Sequence, residues 1–386
     1  MSFQHFNVPR VVFGRGTLAK LPEEAALLGG KGAKAFLLST PQQADQLDRI
    51  KALLAGSDVG VAGVFTEAAM HTPAGITEKA LAALAAASPA TAGASPNDNN
   101  NNVVLVSMGG GSTIGLGKAM AIRTGRAHLC IPTSYAGSEM TPILGETADG
   151  RKTTRSDPRI LPRTVLYDVD LTGTLPRTMR ATSGINALAH AVEALYTQNA
   201  SPVVAALAAE AIRSLAVALP QLAEDGAEDD DATPGDKTAA RQKAEEDALY
   251  GAWLCGMCLG NVSMSIHHKL CHVLGGSFNL PHGETHTAVL PHSLSYVAPR
   301  IGGVMATLAG LLPESHGDAV AGLNALLAKL PVQLALRDYG FREEDIDKAA
   351  DIALAQPYWS PRPLEREAIR EVIRRIWAGE PARADL

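Results

Sequence analysis

Val103-Val104-Leu105-Val106-Ser107, followed almost at once by Gly109-Gly110-Gly111-Ser112, is the stretch that most narrows what this chain can fold into. A strand that is apolar at successive positions buries both faces, as in a parallel sheet covered by helices. A glycine cluster between strand and helix lets backbone approach a bound phosphate. The helix start supplies amides and the positive end of the dipole. Comparable strand patterns occupy residues 11–13, 34–40, 59–65, 127–131 and 165–168. Helical patterns at 17–28, 43–54 and 77–87 lie between them. This alternation predicts a doubly wound α/β domain, whose ligands bind at the carboxyl ends of the strands.

The cluster matches neither G-x-G-x-x-G nor the Walker pattern: Ser112 stands where the first Walker glycine belongs, and Ala119 where its Ser/Thr belongs. A tight structural turn is the competing reading. The phosphate reading gains from a second small, hydroxyl-rich loop after a strand, Thr133-Ser134-Tyr135-Ala136-Gly137-Ser138. Two such loops at neighbouring strand ends wrap a pyrophosphate, with Gly110, Gly111, Ser112, Thr133, Ser134 and Ser138 facing it. The segment at 95–102, with its four consecutive Asn residues, reads as a mobile surface loop.

Residues 171–176 form a hinge, which sets domains at 1–173 and 174–386. From Arg180 on the pattern is helical. Asn186 and His190 are four apart and share one helix face. A helix at 205–219 is expected to end at Pro220. The seven acidic residues of 224–236 read as a solvated loop. Cys255 and Cys258 sit inside an apolar helix at 239–264 and read as buried, inert thiols rather than a redox or zinc motif. Six of the eleven histidines then fall between His267 and His292. His268 and His272 share a helix face, with His267, Lys269 and Cys271 pointing elsewhere. Gly275-Gly276 closes that helix, and a turn at Pro281-His282-Gly283 brings His282 back. A Pro-rich break at 355–362 offers Tyr358, Trp359 and Arg362 as a pocket edge.

Composition excludes several functions. A formal net charge of −6 gives no basic footprint for nucleic acid. No uninterrupted apolar run of about 18 residues suggests a membrane span. The N-terminus has no secretory pattern, and four cysteines are too few for a disulfide framework, so a reducing cytoplasm is expected.

Gly109 to Ser112, Thr133 to Thr141 and the segment from His268 to His292 together resemble the iron-containing alcohol dehydrogenase family, in order and over nearly the whole chain. The resemblance implies an α/β dinucleotide-binding domain, a helical C-terminal domain of the dehydroquinate synthase-like architecture, and an active site in the cleft between them. The family's metal ligands are an Asp, then a His four residues on, then two His fourteen apart. Here those positions hold Asn186, His190, His268 and His282, so the carboxylate is missing. His267-His268-Lys269-Leu270-Cys271-His272, Gly283-Glu284-Thr285-His286-Thr287, Ser112 to Lys118 and Asn186 itself resemble the maleylacetate reductase branch. That branch reduces a carbon–carbon double bond with NADH or NADPH and no metal, in aromatic-compound degradation. What it implies is a small dicarboxylate substrate, maleylacetate, and a homodimer. It also implies catalytic His268, His190, His282 and Lys269, and substrate contacts from Asn186, His272, Tyr135 and Arg362. Thr40 stands where NAD-preferring members place an Asp, so neither nucleotide is favoured. The alternative is a metal-dependent alcohol dehydrogenase using iron or zinc.

Overall fold

The computed structural model describes residues 6–88, 102–148, 151–224, 238–355 and 358–385. The Asn-rich segment at 95–101, the acidic segment at 225–236, and Gln356 and Pro357 of the aromatic break lie outside these residues. The chain divides into two compact units, with the division between Gly173 and Thr174.

In the first unit, strands β1 (Arg10–Gly14), β2 (Lys34–Leu38), β3 (Gly60–Phe65), β4 (Val103–Gly109), β5 (His128–Pro132) and β8 (Thr164–Asp168) form one sheet. Its order is β1-β8-β5-β4-β2-β3, and every neighbouring pair is parallel. β4, β5 and β8 are buried at each position. Successive residues feed opposite faces, as the two-residue period of a strand requires. Val104, Val106, Leu129 and Ile131 pack with Leu21 and Ala25 of α1 (Leu21–Gly29) and Leu47 and Ile50 of α2 (Gln46–Ala55). Phe36, Val103 and Leu105 pack with Ala80 and Leu84 of α3 (Ala74–Ala87) and Leu116 and Met120 of α4 (Gly111–Thr124). Each such aliphatic side chain contributes about 1.5–3 kcal/mol by leaving water. β4 follows β3 in sequence but pairs with β2 on its other side. The strand order therefore reverses at β2 and β4, and the reversal opens a crevice at their carboxyl ends.

A hairpin of β6 (Ile143–Ala148) and β7 (Arg151–Ser156) was not expected from the sequence. Its second strand is polar and exposed from Thr153 to Ser156, and in its first only Ile143 and Leu144 precede Gly145-Glu146-Thr147, so it lacks the apolar run that marked the sheet. A short helix, α5 (Val169–Thr172), closes the unit.

The second unit is built from α6 (Arg177–Ala194), α7 (Pro202–Glu224), α8 (Ala239–Asn261), α9 (Ile266–Phe278), α10 (His282–Val297), α11 (Gly302–Leu311), α12 (Ala319–Ala328), α13 (Ile346–Ala355) and α14 (Arg366–Ala378). α6 is its axis, buried along almost its whole length and packed on α7, α8 and α10. Small residues permit that closeness: a Cβ on Gly184 would lie 2.5 Å from Leu219.

Three expectations are corrected here. α7 runs through Pro220 to Glu224. Proline removes one backbone N–H hydrogen bond, and burial of Leu215, Leu219 and Leu222 outweighs that loss. α9 ends past Gly275 and Gly276, at Asn279, whose φ of 54° is the left-handed cap that Asn tolerates. His282 lies in no turn: Pro281 caps α10 and His282 opens it. α7 is also long and apolar enough to cross a membrane, which the search for an unbroken apolar run did not flag. Half of that stretch is buried in the unit, and it carries Glu210 and Arg213, so we read it as a core helix.

Candidate functional site

In the first unit the ends of β2, β4 and β5 converge at the crevice. Gly109 has a φ of +151°, which a side chain rarely adopts, and a Cβ there would lie 2.5 Å from Thr113 Oγ1. A Cβ on Gly110 would stand 3.1 Å from Ser134 Oγ. Gly111 begins α4 and meets nothing, so backbone at the helix start is open to a ligand. The Thr133 amide donates to Gly109 O at 3.2 Å. Gln43, which the sequence reading passed over, donates to Thr133 Oγ1 at 2.8 Å and lies 3.5 Å from Thr40 Oγ1. Thr40, the glycines, Ser112, Thr133 and Ser134 thus gather at neighbouring strand ends.

Ser138 is turned to another partner. The Lys118 ammonium, fully buried on α4, donates to Ser138 O and Oγ, to Thr141 Oγ1 at 2.9 Å and to Ile143 O at 2.9 Å. Burial lowers Lys118 to about 8, against the pull of Cys130 and Glu139. Beneath it His128, lowered to about 3 by burial and then by Lys118, meets Ser107 Oγ at 2.8 Å. Tyr135, expected at the substrate, is buried.

In the second unit, α6, α9 and α10 bring the histidines together. The rings of His190 and His268 lie 5.1 Å apart, those of His268 and His286 5.2 Å, and those of His282 and His286 4.3 Å. His286, absent from the sequence-predicted set, stands among them. His267 also joins the group, contrary to the helical-wheel reading: its Nε2 meets His286 Nδ1 at 2.9 Å and its Nδ1 meets Ser293 Oγ at 3.2 Å. His272 is exposed, with its ring 6.2 Å from that of His268, and His282 is exposed as well. Lys269 lies over the Tyr358 ring at 5.3 Å. Arg362 stacks on Tyr296 at 4.3 Å and donates to Tyr296 O, so the structure brings this expected clamp to Tyr296.

Asn186 Oδ1, His190 Nδ1, His268 Nε2 and His286 Nε2 are buried and have no hydrogen-bond partner in the protein. Burial, reinforced by the neighbouring imidazoles, holds His190, His267 and His286 well below the ordinary histidine value. These three are neutral rings that offer N–H and lone pairs rather than charge.

Glu193 is the residue sequence reasoning undervalued. It stands three positions after His190 on α6 and is completely buried. Its Oε2 meets His268 Nδ1 at 2.6 Å and accepts from the Ser265 amide at 3.0 Å. Its Oε1 accepts from the His267 amide at 2.7 Å and from Tyr196 Oη at 3.4 Å. The three-residue step from a candidate histidine was the available signal.

A tight iron or zinc site is best served by an anionic or imidazole ligand set with its donors converging. Asn186 supplies only a neutral amide oxygen in place of the family's carboxylate. Among the described residues, the group of three ligating side chains whose donor atoms lie within 4.8 Å of one another is instead His267, Cys271 and His286. Its two imidazoles are already hydrogen-bonded to each other. The family's metal positions thus lack the one anionic ligand that the family supplies, and hold Asn186 there instead.

A parallel sheet with a glycine-lined crevice, and a helical unit holding clustered histidines, define a class. The profile described as "Iron-containing alcohol dehydrogenase" matches residues 9–169, and "Fe-containing alcohol dehydrogenase family, C-terminal" matches residues 180–377. The chain belongs to the iron-containing alcohol dehydrogenase family. Within it, the chain is 45% identical to a maleylacetate reductase of Rhizobium sp. (strain MTP-10005), over 96% of both chains. It is likewise 45% identical to a maleylacetate reductase of Burkholderia cepacia, over 97% of both. The crystal structure of maleylacetate reductase from Agrobacterium tumefaciens superposes with a TM-score of 0.85 at 44% identity, covering 99% of each chain.

Proposed function

We propose that the protein reduces the carbon–carbon double bond of maleylacetate to give 3-oxoadipate, using NADH or NADPH, without a metal ion. The observation that carries this reading is Asn186, a neutral amide where the family places a carboxylate ligand, beside buried histidines whose ring nitrogens have no partner in the protein. A metal-dependent alcohol dehydrogenase needs the opposite: a ligand set that binds the cation tightly enough to polarise an alkoxide.

The glycine-lined start of α4 suits a pyrophosphate, with Ser112, Thr133 and Ser134 beside it. Thr40 presents no carboxylate to repel a 2′-phosphate, which supports use of both nucleotides. Reduced nicotinamide held there supplies the hydride. Once the alkene carbon β to the ketone has gained that hydride, negative charge gathers on the ketone oxygen as an enolate. His190, His268 and His282, with Lys269, stabilise that oxygen or hold the carboxylates, in the role a metal fills elsewhere in the family. His268 then delivers a proton to the α carbon. Asn186 and His272 complete the substrate contacts. Cytoplasmic residence is supported by the four cysteines, all free and buried.

The test is oxidation of NADH and of NADPH on adding maleylacetate, beside a control in which NAD⁺ is offered a diol. The expected result is oxidation of the reduced nucleotide and no diol turnover. Diol oxidation with no response to maleylacetate overturns the reading.

A further inference from the structure

Glu193 does more than end a helix. Its two oxygens accept from the Ser265 and His267 amides, which can only donate, so both oxygens are acceptors. The group that shares Oε2 with Ser265, His268 Nδ1 at 2.6 Å, must then be the donor. A neutral imidazole carries one proton. With that proton on Nδ1, the lone pair lies on Nε2, the buried atom of His268 that has no partner in the protein. The ring is anchored at one nitrogen by a carboxylate with no exposure to solvent, and the other nitrogen is left for a ligand.

From this geometry we infer that Glu193 is a positioning residue of the reaction: it fixes the tautomer and orientation of His268, so that Nε2 is the atom presented to substrate. The inference rests on the reading of His268 as a group that serves the reduced substrate. A hydrogen-bonded second carboxylate holds a working imidazole in this way in hydrolases and at metal centres, where its loss costs orders of magnitude in activity. Here the same carboxylate also grips the first amides of α9. The backbone that carries His268 and the ring itself are thereby set by one group. To act as the acid, Nε2 first takes a proton from solvent; when it passes that proton to the α carbon, the ring returns to the Nδ1–H form that Glu193 already holds, and no ring rotation is needed.

Glu193→Gln replaces one acceptor oxygen with an NH2 group. Turned toward His268, that group makes Nδ1 an acceptor and moves the imidazole proton to Nε2. Two measurements on the full-length protein decide the matter. The first is nitrogen-15 NMR of histidine-labelled protein without substrate, with the His268 signals assigned by their loss in His268→Gln. The expected wild-type form is Nδ1–H, changing to Nε2–H in Glu193→Gln. The second is steady-state kinetics, in which Glu193→Gln is expected to lower kcat about 100-fold with KM for NADH within about twofold of wild type. A purely structural cap lowers the melting temperature and leaves the tautomer and the kcat of folded protein as they were, which overturns the inference. An Nε2–H form in the wild type overturns it too, and decides the case even if Glu193→Gln fails to fold. Should wild-type protein not reduce maleylacetate, the assigned reaction fails, while the tautomer measurement still stands by itself.

Discussion

At the strand ends of the first unit, the candidate ligand surface is mostly backbone. Gly109, Gly110 and Gly111 contribute by having no side chain; the Thr133 amide bonds Gly109 O, Gln43 holds Thr133, and Lys118 of α4 holds the second loop at Ser138 and Thr141. On α6, α9 and α10 of the second unit the surface is all side chain: Asn186, His190, His268, His282 and His286, with His268 held by Glu193. The two materials suit different tasks. Backbone amides at a helix start bind a phosphate whatever the chemistry performed elsewhere, so this part carries over unchanged among enzymes with different reactions. Side chains can be exchanged one at a time. On the proposed reading, a single amide for a carboxylate at Asn186 shifts a histidine group from holding a cation toward holding an anion.

Perturbing the two regions should therefore give different signatures. His268→Ala is expected to have the largest effect, a loss of about 1,000-fold in kcat. NADH affinity, read by fluorescence titration, should stay near wild type; a comparable loss of NADH binding would erase the distinction. Lys118→Met comes next. It removes the Lys118 hydrogen bonds to Ser138 O, Ile143 O and the Thr141 hydroxyl, and a lost buried hub of this kind costs about 3 kcal/mol. Denaturant unfolding checks the stability, and KM for NADH should rise as the second loop loosens. The smallest effect is that of Gly109→Ala, which forces a side chain into a positive φ and against Thr113, at about 2 kcal/mol. Its kinetic mark should be a higher KM for NADH with kcat for bound substrate little changed. A fall in kcat alone would mean that the loop takes part in the chemistry.

The parallel sheet could be read in advance because burial on both faces writes itself into consecutive apolar residues, as in Val103 to Val106. The helical unit could be read because Ile185, Leu188, Val192 and their neighbours repeat at helical spacing. The hairpin at Ile143 and Arg151 could not, since its first strand has only two successive aliphatic residues and its second is polar. Pro220 misled because a proline's local cost is visible in sequence while the packing that offsets it is not. The same limit applies within the histidine group. His268, His282 and Asn186 stood out by spacing, but His267 and His286 meet only because α9 and α10 pack together. Glu193 lies seventy-five positions from the ring it holds.

The central claim is that this member of an iron-named family reduces an alkene without a metal. The direct measurement is turnover of maleylacetate by protein stripped with EDTA and assayed for residual iron and zinc, with the product identified by NMR. The expected result is an undiminished rate, one NADH consumed for each 3-oxoadipate formed, and metal far below one equivalent per chain. A rate that collapses on stripping and returns with added Fe²⁺ or Zn²⁺ would contradict it.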